Sequence, residues 1–329
     1  MKSIFLVILL ISNIYSFSQN RAVNKNALPE TQKLLNFLYS LDGKHTLAGQ
    51  HNYSPNFNQY MDTVKSITGK LPAVWGTDFI LGGTNDFGNE IVKEAIKKWK
   101  DGFIITLMWH SGRPMDNPPY GWKESIQGKV TDKEWLELTT DGTELNKRWL
   151  AQVDKIASYL KQLCDAKVPV LWRPYHEMNG VWFWWGNKKG PDGYQKLWKM
   201  MFDRFVNYHH LNNLIWVWNA NAPRDIPYDE AFSYKDFYPG PDYVDILATD
   251  VYHFDYEQKD YNELLELANG KPIALGECGE LPKPEILELQ SKWSWFMVWS
   301  NWIIIDNTPE RVKSIYNHPQ VITKDKLKF

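Results

Sequence analysis

Two glutamates and a row of aromatic rings carry the chemistry legible in this chain. Glu177 stands in the stretch Trp172-Arg173-Pro174-Tyr175-His176-Glu177-Met178-Asn179-Gly180, and Trp182-Phe183-Trp184-Trp185-Gly186 follows almost at once. Glu277 stands in Gly276-Glu277-Cys278-Gly279, just past the apolar segment Pro272 to Leu275. A buried strand has little use for an arginine, a histidine and a glutamate at its end. A sugar-handling site uses all three: the carboxyl as acid or base, the cation and imidazole to fix its charge state, and indole faces to stack on pyranose rings. The plain alternative is that the rings fill a core and that Glu177 is a solvated loop residue. Successive side chains diverge in any regular conformation, so the four rings from Trp182 to Trp185 are not expected to share one core.

Both glutamates need elements that bring them together. Hydrophobic periodicity predicts helices over Ala27 to Asp42, Phe57 to Thr68, Glu90 to Lys100, Thr143 to Ala166, Tyr194 to Tyr208, Tyr261 to Ala268 and Pro309 to Tyr316. Short apolar runs predict eight strands: Thr46–Gln50, Leu71–Trp75, Phe103–Met108, Val168–Leu171, Leu214–Trp218, Val244–Ala248, Pro272–Leu275 and Trp295–Val298. Polar residues close several of them, among them Gly76-Thr77-Asp78 after the second and Asn219-Ala220-Asn221 after the fifth. Strands alternating with helices in this number predict an α/β fold, a single (β/α)8 TIM barrel. A doubly wound sheet is disfavoured because no glycine-rich phosphate loop follows the first strand. The fifth connection, Pro223 to Pro241, gives little sign of a helix, and the long loop Ser111 to Gly142 is of a length usually reserved for function.

In such barrels the site forms at the C-terminal ends of the strands. Reading those ends gives His110 after the third strand, Arg173, His176 and Glu177 after the fourth, Asp250 and Tyr252 after the sixth, Glu277 after the seventh and Trp299 after the eighth. Glutamates after strands four and seven face each other across the barrel mouth, which is how a carboxyl pair for glycoside hydrolysis is placed. One must hold a proton and the other must be ionised, so their surroundings must differ.

The rest of the chain sets the bounds. Its 329 residues are 43% hydrophobic and 23% charged with a net charge of −2, an ordinary globular composition with no electrostatic footprint for nucleic acid. The 17 tryptophans are the unusual figure, and they point to aromatic surfaces for flat sugar faces beyond what a core needs. Residues 1–18 read as a signal peptide: Lys2, an apolar run from Ile4 to Ile11 too short to span a membrane, then Ser16-Phe17-Ser18. No cysteine stands at the cut, so no lipid anchor is indicated. Residues 19–329 then form one catalytic domain, secreted or periplasmic and monomeric. Cys164 and Cys278 are expected as separate buried thiols, a domain of this size needing no staple.

The segment from Arg173 to Gly180, the aromatic run to Gly186, and Gly276-Glu277 resemble glycoside hydrolase family 26. The likeness runs from His45-Thr46-Leu47-Ala48-Gly49-Gln50-His51 to Trp299. The resemblance implies a retaining enzyme on a (β/α)8 barrel, with Glu177 as acid/base and Glu277 as nucleophile, about 5–5.5 Å apart. It implies that Arg173, His110, Asp250, Tyr252, Trp182 and Trp299 line the subsite closest to the cleaved bond. His176 takes the place before the acid/base where the wider clan carries Asn. Within that reading, Arg173 keeps Glu277 ionised, and His176 and His110 bond Glu277 or the neighbouring sugar hydroxyl. Tyr252 partners the nucleophile, and Trp299 is the floor under the sugar. The expected substrate is a β-1,4-mannan. A mixed-linkage β-glucanase or β-1,3-xylanase is the alternative within the family, and a non-catalytic carbohydrate-binding protein the alternative outside it. No cofactor or metal is expected: the fourth residue on from His176 is Gly180, so His176-Glu177 does not start an H-E-x-x-H zinc motif.

Overall fold

A computed structural model describes residues 20–80 and 86–329; the expected signal peptide lies outside the described residues. Eight parallel strands close on themselves. β1 (Thr46–His51), β2 (Val74–Ile80), β3 (Ile104–His110), β4 (Val170–Pro174), β5 (Leu214–Asn221), β6 (Ile246–Val251), β7 (Ile273–Cys278) and β8 (Trp293–Val298) pair in order, and β1 pairs with both β8 and β2. The helices are α1 (Pro29–Ser40), α2 (Gln59–Thr68), α3 (Gly88–Lys100), α4 (Asp132–Leu138), α5 (Glu144–Asp165), α6 (Tyr194–Asp203), α7 (Gln258–Ala268), α8 (Pro284–Leu289), α9 (Trp302–Ile305) and α10 (Pro309–Tyr316). A two-residue strand, β9 (Val321–Ile322), adds to β1. This is the (β/α)8 barrel expected. Among the described residues, no helix is long and apolar enough to cross a membrane.

Strand alternation explains both core and site. On β3, Ile104 points into the barrel and Ile105, Leu107 and Trp109 point out to the helices; Thr106, Met108 and His110 follow Ile104 on the inner face by period two. Low in the barrel the inner face is apolar: Leu47, Val74, Ile104, Leu171, Ile215 and Ile246 pack with Leu34, Leu35 and Leu38 of α1, which closes that end. Truncating one of these leucines to alanine would cost about 2–5 kcal/mol. Higher up, the same inner face turns polar with Asp78, His110, Arg173, Asn219, Asp250 and Glu277, all of them buried.

That polarity corrects the expected strand boundaries. The apolar runs of the second to seventh strands stop at Trp75, Met108, Leu171, Trp218, Ala248 and Leu275, whereas the strands continue to Ile80, His110, Pro174, Asn221, Val251 and Cys278. The ladder runs on because a backbone pairs whatever its side chain, and the polar residues only mark where the inner face changes from core to site. Asp250, His110, Arg173 and Glu277 therefore sit within strands, not after them.

The tryptophans also need correction. Eleven of the 17 are among the most deeply buried side chains, including Trp75, Trp109, Trp172, Trp216 and Trp218 on the outward face of the strands. Those five fill the layer between barrel and helices. Most of the excess is packing. The fifth connection carries no α-helix among the described residues, only the paired segment 224–231 and short 3-10 turns at Tyr234–Asp236 and Pro241–Tyr243, and the long loop after β3 contains a π-turn (Trp122–Ile126) and α4. Cys164 and Cys278 are free, buried thiols.

Candidate active site

The chain leaves β4 through two residues in left-handed conformation, Tyr175 (φ 48°) and Glu177 (φ 53°), on either side of His176. Such a turn is strained for residues with a Cβ and must be held by its surroundings. The Glu177 N–H donates to the Asn219 carbonyl of β5 at 2.8 Å, which ties the turn to the neighbouring strand. The Glu177 carboxyl accepts from Asn221 Nδ2 at 2.9 Å and from Trp182 Nε1 at 2.6 Å. Both donors are neutral. Burial, and then repulsion from Glu277, push the Glu177 pKa up to about 7. Both effects penalise the charged form.

Glu277 is surrounded differently. Arg173 Nη2 donates to its Oε1 at 3.2 Å and the Tyr252 hydroxyl to its Oε2 at 2.7 Å, contacts that complement a negative charge. Arg173 is itself clamped: Nη1 donates to Asn219 Oδ1 at 2.6 Å and lies 3.7 Å from Asp250 Oδ1. Two carboxyls that feel each other thus have opposite environments, one built for a proton and one for a charge.

Around this pair the expected residues fall into distinct places. His176 Nε2 lies 3.6 Å from Glu277 Oε1, beyond a direct hydrogen bond. Burial, with His110 and Arg173 adding to it, keeps the His176 pKa well below its usual value, so the contact is not an ion pair. The expected bond from His110 to Glu277 is not made: the ring turns Nδ1 to Asp78 and leaves Nε2 for a sugar hydroxyl. The Nδ1 contact to Asp78 Oδ2 is 2.7 Å, and the other Asp78 oxygen lies 3.5 Å from His51 Nε2. Burial works against the charge of Asp78, yet His110 and His51 hold its pKa below the ordinary carboxylate range. Half-exposed Trp299 stacks on the His51 ring at 3.9 Å between centroids. Asp250 is wholly buried and stands opposite Glu277 in the pairing of β6 with β7, with Arg173 Nη1 3.7 Å from its Oδ1. Burial and then Glu277 raise its pKa well above the carboxylate range.

His176, Asp250 and Glu277 bring metal-capable atoms within 4.8 Å of one another. The Arg173 guanidinium already supplies a cation between the two carboxyls, at 3.2 and 3.7 Å. Of the aromatic run, Trp182 bonds the Glu177 carboxyl, and the Phe183 ring packs against His110 and His176 at 5.5 and 5.1 Å between centroids. Of the four rings not expected to share one core, Phe183, Trp184 and Trp185 do share one, and Trp182 is only partly buried at its edge. The segment is an irregular turn, so strand or helix divergence does not apply; Trp184 Nε1 donates to the Ser111 carbonyl and Trp185 Nε1 to the His176 carbonyl, both at 2.8 Å.

His51, Asp78, Asn219 and Asn221 join the site beyond the residues expected there. The signal was present: Asp78, Asn219 and Asn221 continue the inward period-two face of their strands. Trp122, 44% exposed and with its ring 5.0 Å from that of His110, carried no comparable signal. A π-turn within the long loop delivers it.

The model of glycosyl hydrolase family 26 matches residues 23–326. A mannan endo-1,4-beta-mannosidase of Thermothelomyces thermophilus is 36% identical over 94% of this chain and 64% of its own length. Mannan endo-1,4-beta-mannosidase A of Piromyces sp is 33% identical over 93% of this chain and 50% of its own. The chain thus spans between half and two thirds of the length of these curated relatives. The solved structure of GH26A from Muricauda sp. MAR_2010_75 superposes with a TM-score of 0.91 at 63% identity, covering 93% of this chain and all of the other.

Proposed function

The chain belongs to glycosyl hydrolase family 26, and from that premise we propose that it hydrolyses β-1,4-mannan or manno-oligosaccharides by double displacement, with Glu177 as acid/base and Glu277 as nucleophile. One observation carries the reading: two buried carboxyls lie close enough to repel each other, Glu177 with neutral donors and a pKa of about 7, Glu277 with a guanidinium and a phenol. Acid/base work needs a pKa close to the working pH; a nucleophile needs a lone pair that its neighbours keep unprotonated.

In the first step a Glu277 oxygen forms a bond to the anomeric carbon. The glycosidic C–O bond breaks, and its electron pair leaves on the aglycone oxygen, which takes the proton of Glu177. In the second, a water oxygen attacks the same carbon, Glu177 takes the water proton, and Glu277 departs as a carboxylate. Two inversions give net retention. Arg173 and Tyr252 hold Glu277 in line, and Trp299 offers an aromatic face to the sugar. Mannan as substrate rests on the names of the relatives; residues 1–18 support export from the cytoplasm.

Product analysis on mannan, mixed-linkage glucan and β-1,3-xylan side by side tests the substrate. Release from mannan with little from the others is expected. NMR of the first anomer released tests the mechanism: a β-anomer agrees with it, and an α-anomer rejects it.

A further inference from the structure

Both donors to the Glu177 carboxyl are gripped by one residue outside the first ring of contacts. Residues 224–231 form a short hairpin after β5, paired backbone to backbone between Arg224 and Ala231, and Ala231 also bridges to Gly180 in the Glu177 turn. Arg224 lies along it. Its Nη1 donates to Asn221 Oδ1 at 2.9 Å, and its guanidinium carbon sits 4.9 Å from the centre of the Trp182 ring. Nε and Nη2 donate to the carbonyl and carboxylate of Asp229 at 2.9 and 2.7 Å, fixing the plane of the fork.

We propose that Arg224 is a positioning residue for the acid/base, locking the Asn221 amide and the Trp182 indole with their N–H groups turned toward Glu177. The inference rests on the acid/base reading of Glu177. The physical reason lies in the amide. With Oδ1 occupied by a guanidinium donor, Asn221 has only Nδ2 to offer the carboxyl. Freed from Arg224, the amide can flip and accept from the protonated acid, which holds back the proton that the leaving oxygen needs. An arginine does this where a lysine cannot, because one planar fork serves Asn221, Asp229 and the indole face together. The charged and titratable groups facing Glu177 are Glu277 on β7, Asp250 and Tyr252 on and after β6, and Arg224 itself. Arg224 alone among them favours the ionised form, so its loss moves the Glu177 pKa upward.

The test uses Arg224→Ala and Arg224→Lys, with mannan and a dinitrophenyl β-mannoside as substrates. An activated aryl leaving group needs no acid. The expected result is a roughly tenfold fall in kcat/KM on mannan, the size of a lost hydrogen-bond orientation, with kcat/KM on the aryl mannoside unchanged. In Arg224→Ala the alkaline limb of the mannan profile moves to higher pH. Equal losses on both substrates, or a limb that stays in place, overturn the proposal. If Arg224→Ala does not fold, Arg224→Lys keeps the charge and carries the substrate comparison alone. Glu177→Ala is run alongside: if it loses both substrates equally, the acid/base reading itself fails, whereas a normal Glu177→Ala response with no discrimination by the Arg224 variants rejects only the role of Arg224.

Discussion

Gly276 leaves room for Asn219: a Cβ on Gly276 would lie 1.8 Å from Asn219 Oδ1 and 2.8 Å from Asp250 Oδ1. The pairing of β6 with β7 slips here, Thr249 matching Leu275 and Asp250 matching Glu277, so Gly276 is skipped. Asn219 is the residue that orients Arg173 at 2.6 Å, and Arg173 orients Glu277. Gly276→Ala should therefore push Asn219 aside and loosen the nucleophile. We expect kcat to fall by about 10²-fold, as misplacement of an ångström can do, together with about 1–3 kcal/mol of overpacking cost. Steady-state kinetics and a denaturant melt read the two; a variant with wild-type kcat would refute the chain from glycine to nucleophile.

Glu177→Ala should spare kcat/KM for a dinitrophenyl β-mannoside and reduce it on mannan by about 10²–10⁴-fold, the usual worth of a general acid. Loss of both substrates together would remove Glu177 from that role.

Glu277→Ala should be inactive on every substrate, aryl mannosides included, because no leaving group substitutes for the attacking oxygen. A residual rate within about tenfold of wild type would exclude Glu277 as nucleophile.

The raised pKa of Glu177 sets a pH limit of known sign. Mannan hydrolysis should decline as pH rises through about 7, where the acid loses its proton. Stability follows the same direction. A carboxyl whose folded pKa lies above its unfolded value binds its proton more tightly when folded, so its contribution is complete below about 4.5 and is lost by about 7. Asp245, pushed up to about 6 by burial, acts with the same sign. Glu177→Ala should flatten the difference in unfolding free energy between pH 5 and pH 8 by on the order of 1–3 kcal/mol. An unchanged difference would contradict the assignment.

Asp78→Asn should separate His110 from His51. The short bond to His110 and the longer contact to His51 both depend on a carboxylate, and a hydrogen bond to a charged group is worth about 1.5–3 kcal/mol. We expect that loss in a urea melt, and a raised KM, because His51 is the ring on which Trp299 stacks. Unaltered KM and stability would show the pair to be incidental.

Much of this was written along the chain. Alternating apolar runs and amphipathic helices decided the barrel, because a strand buried on both faces must be apolar and each crossover must cover it. The polar residues that close those runs gave Glu177, Glu277, Arg173 and Tyr252, since only a site justifies such groups beside a core. What the sequence did not decide was which neighbours meet. Asp78 reaches His110 across 32 positions and Arg173 reaches Glu277 across 104. Barrel closure brings them together; no local spacing records it. The indoles make the same point from the other side. Trp182 and Trp184 are two positions apart and of one type, yet one donates to the Glu177 carboxyl and the other to the buried Ser111 carbonyl. Residue type fixed what each could do. The turn between them, set by packing against the β3 loop and the 224–231 hairpin, decided which one meets Glu177.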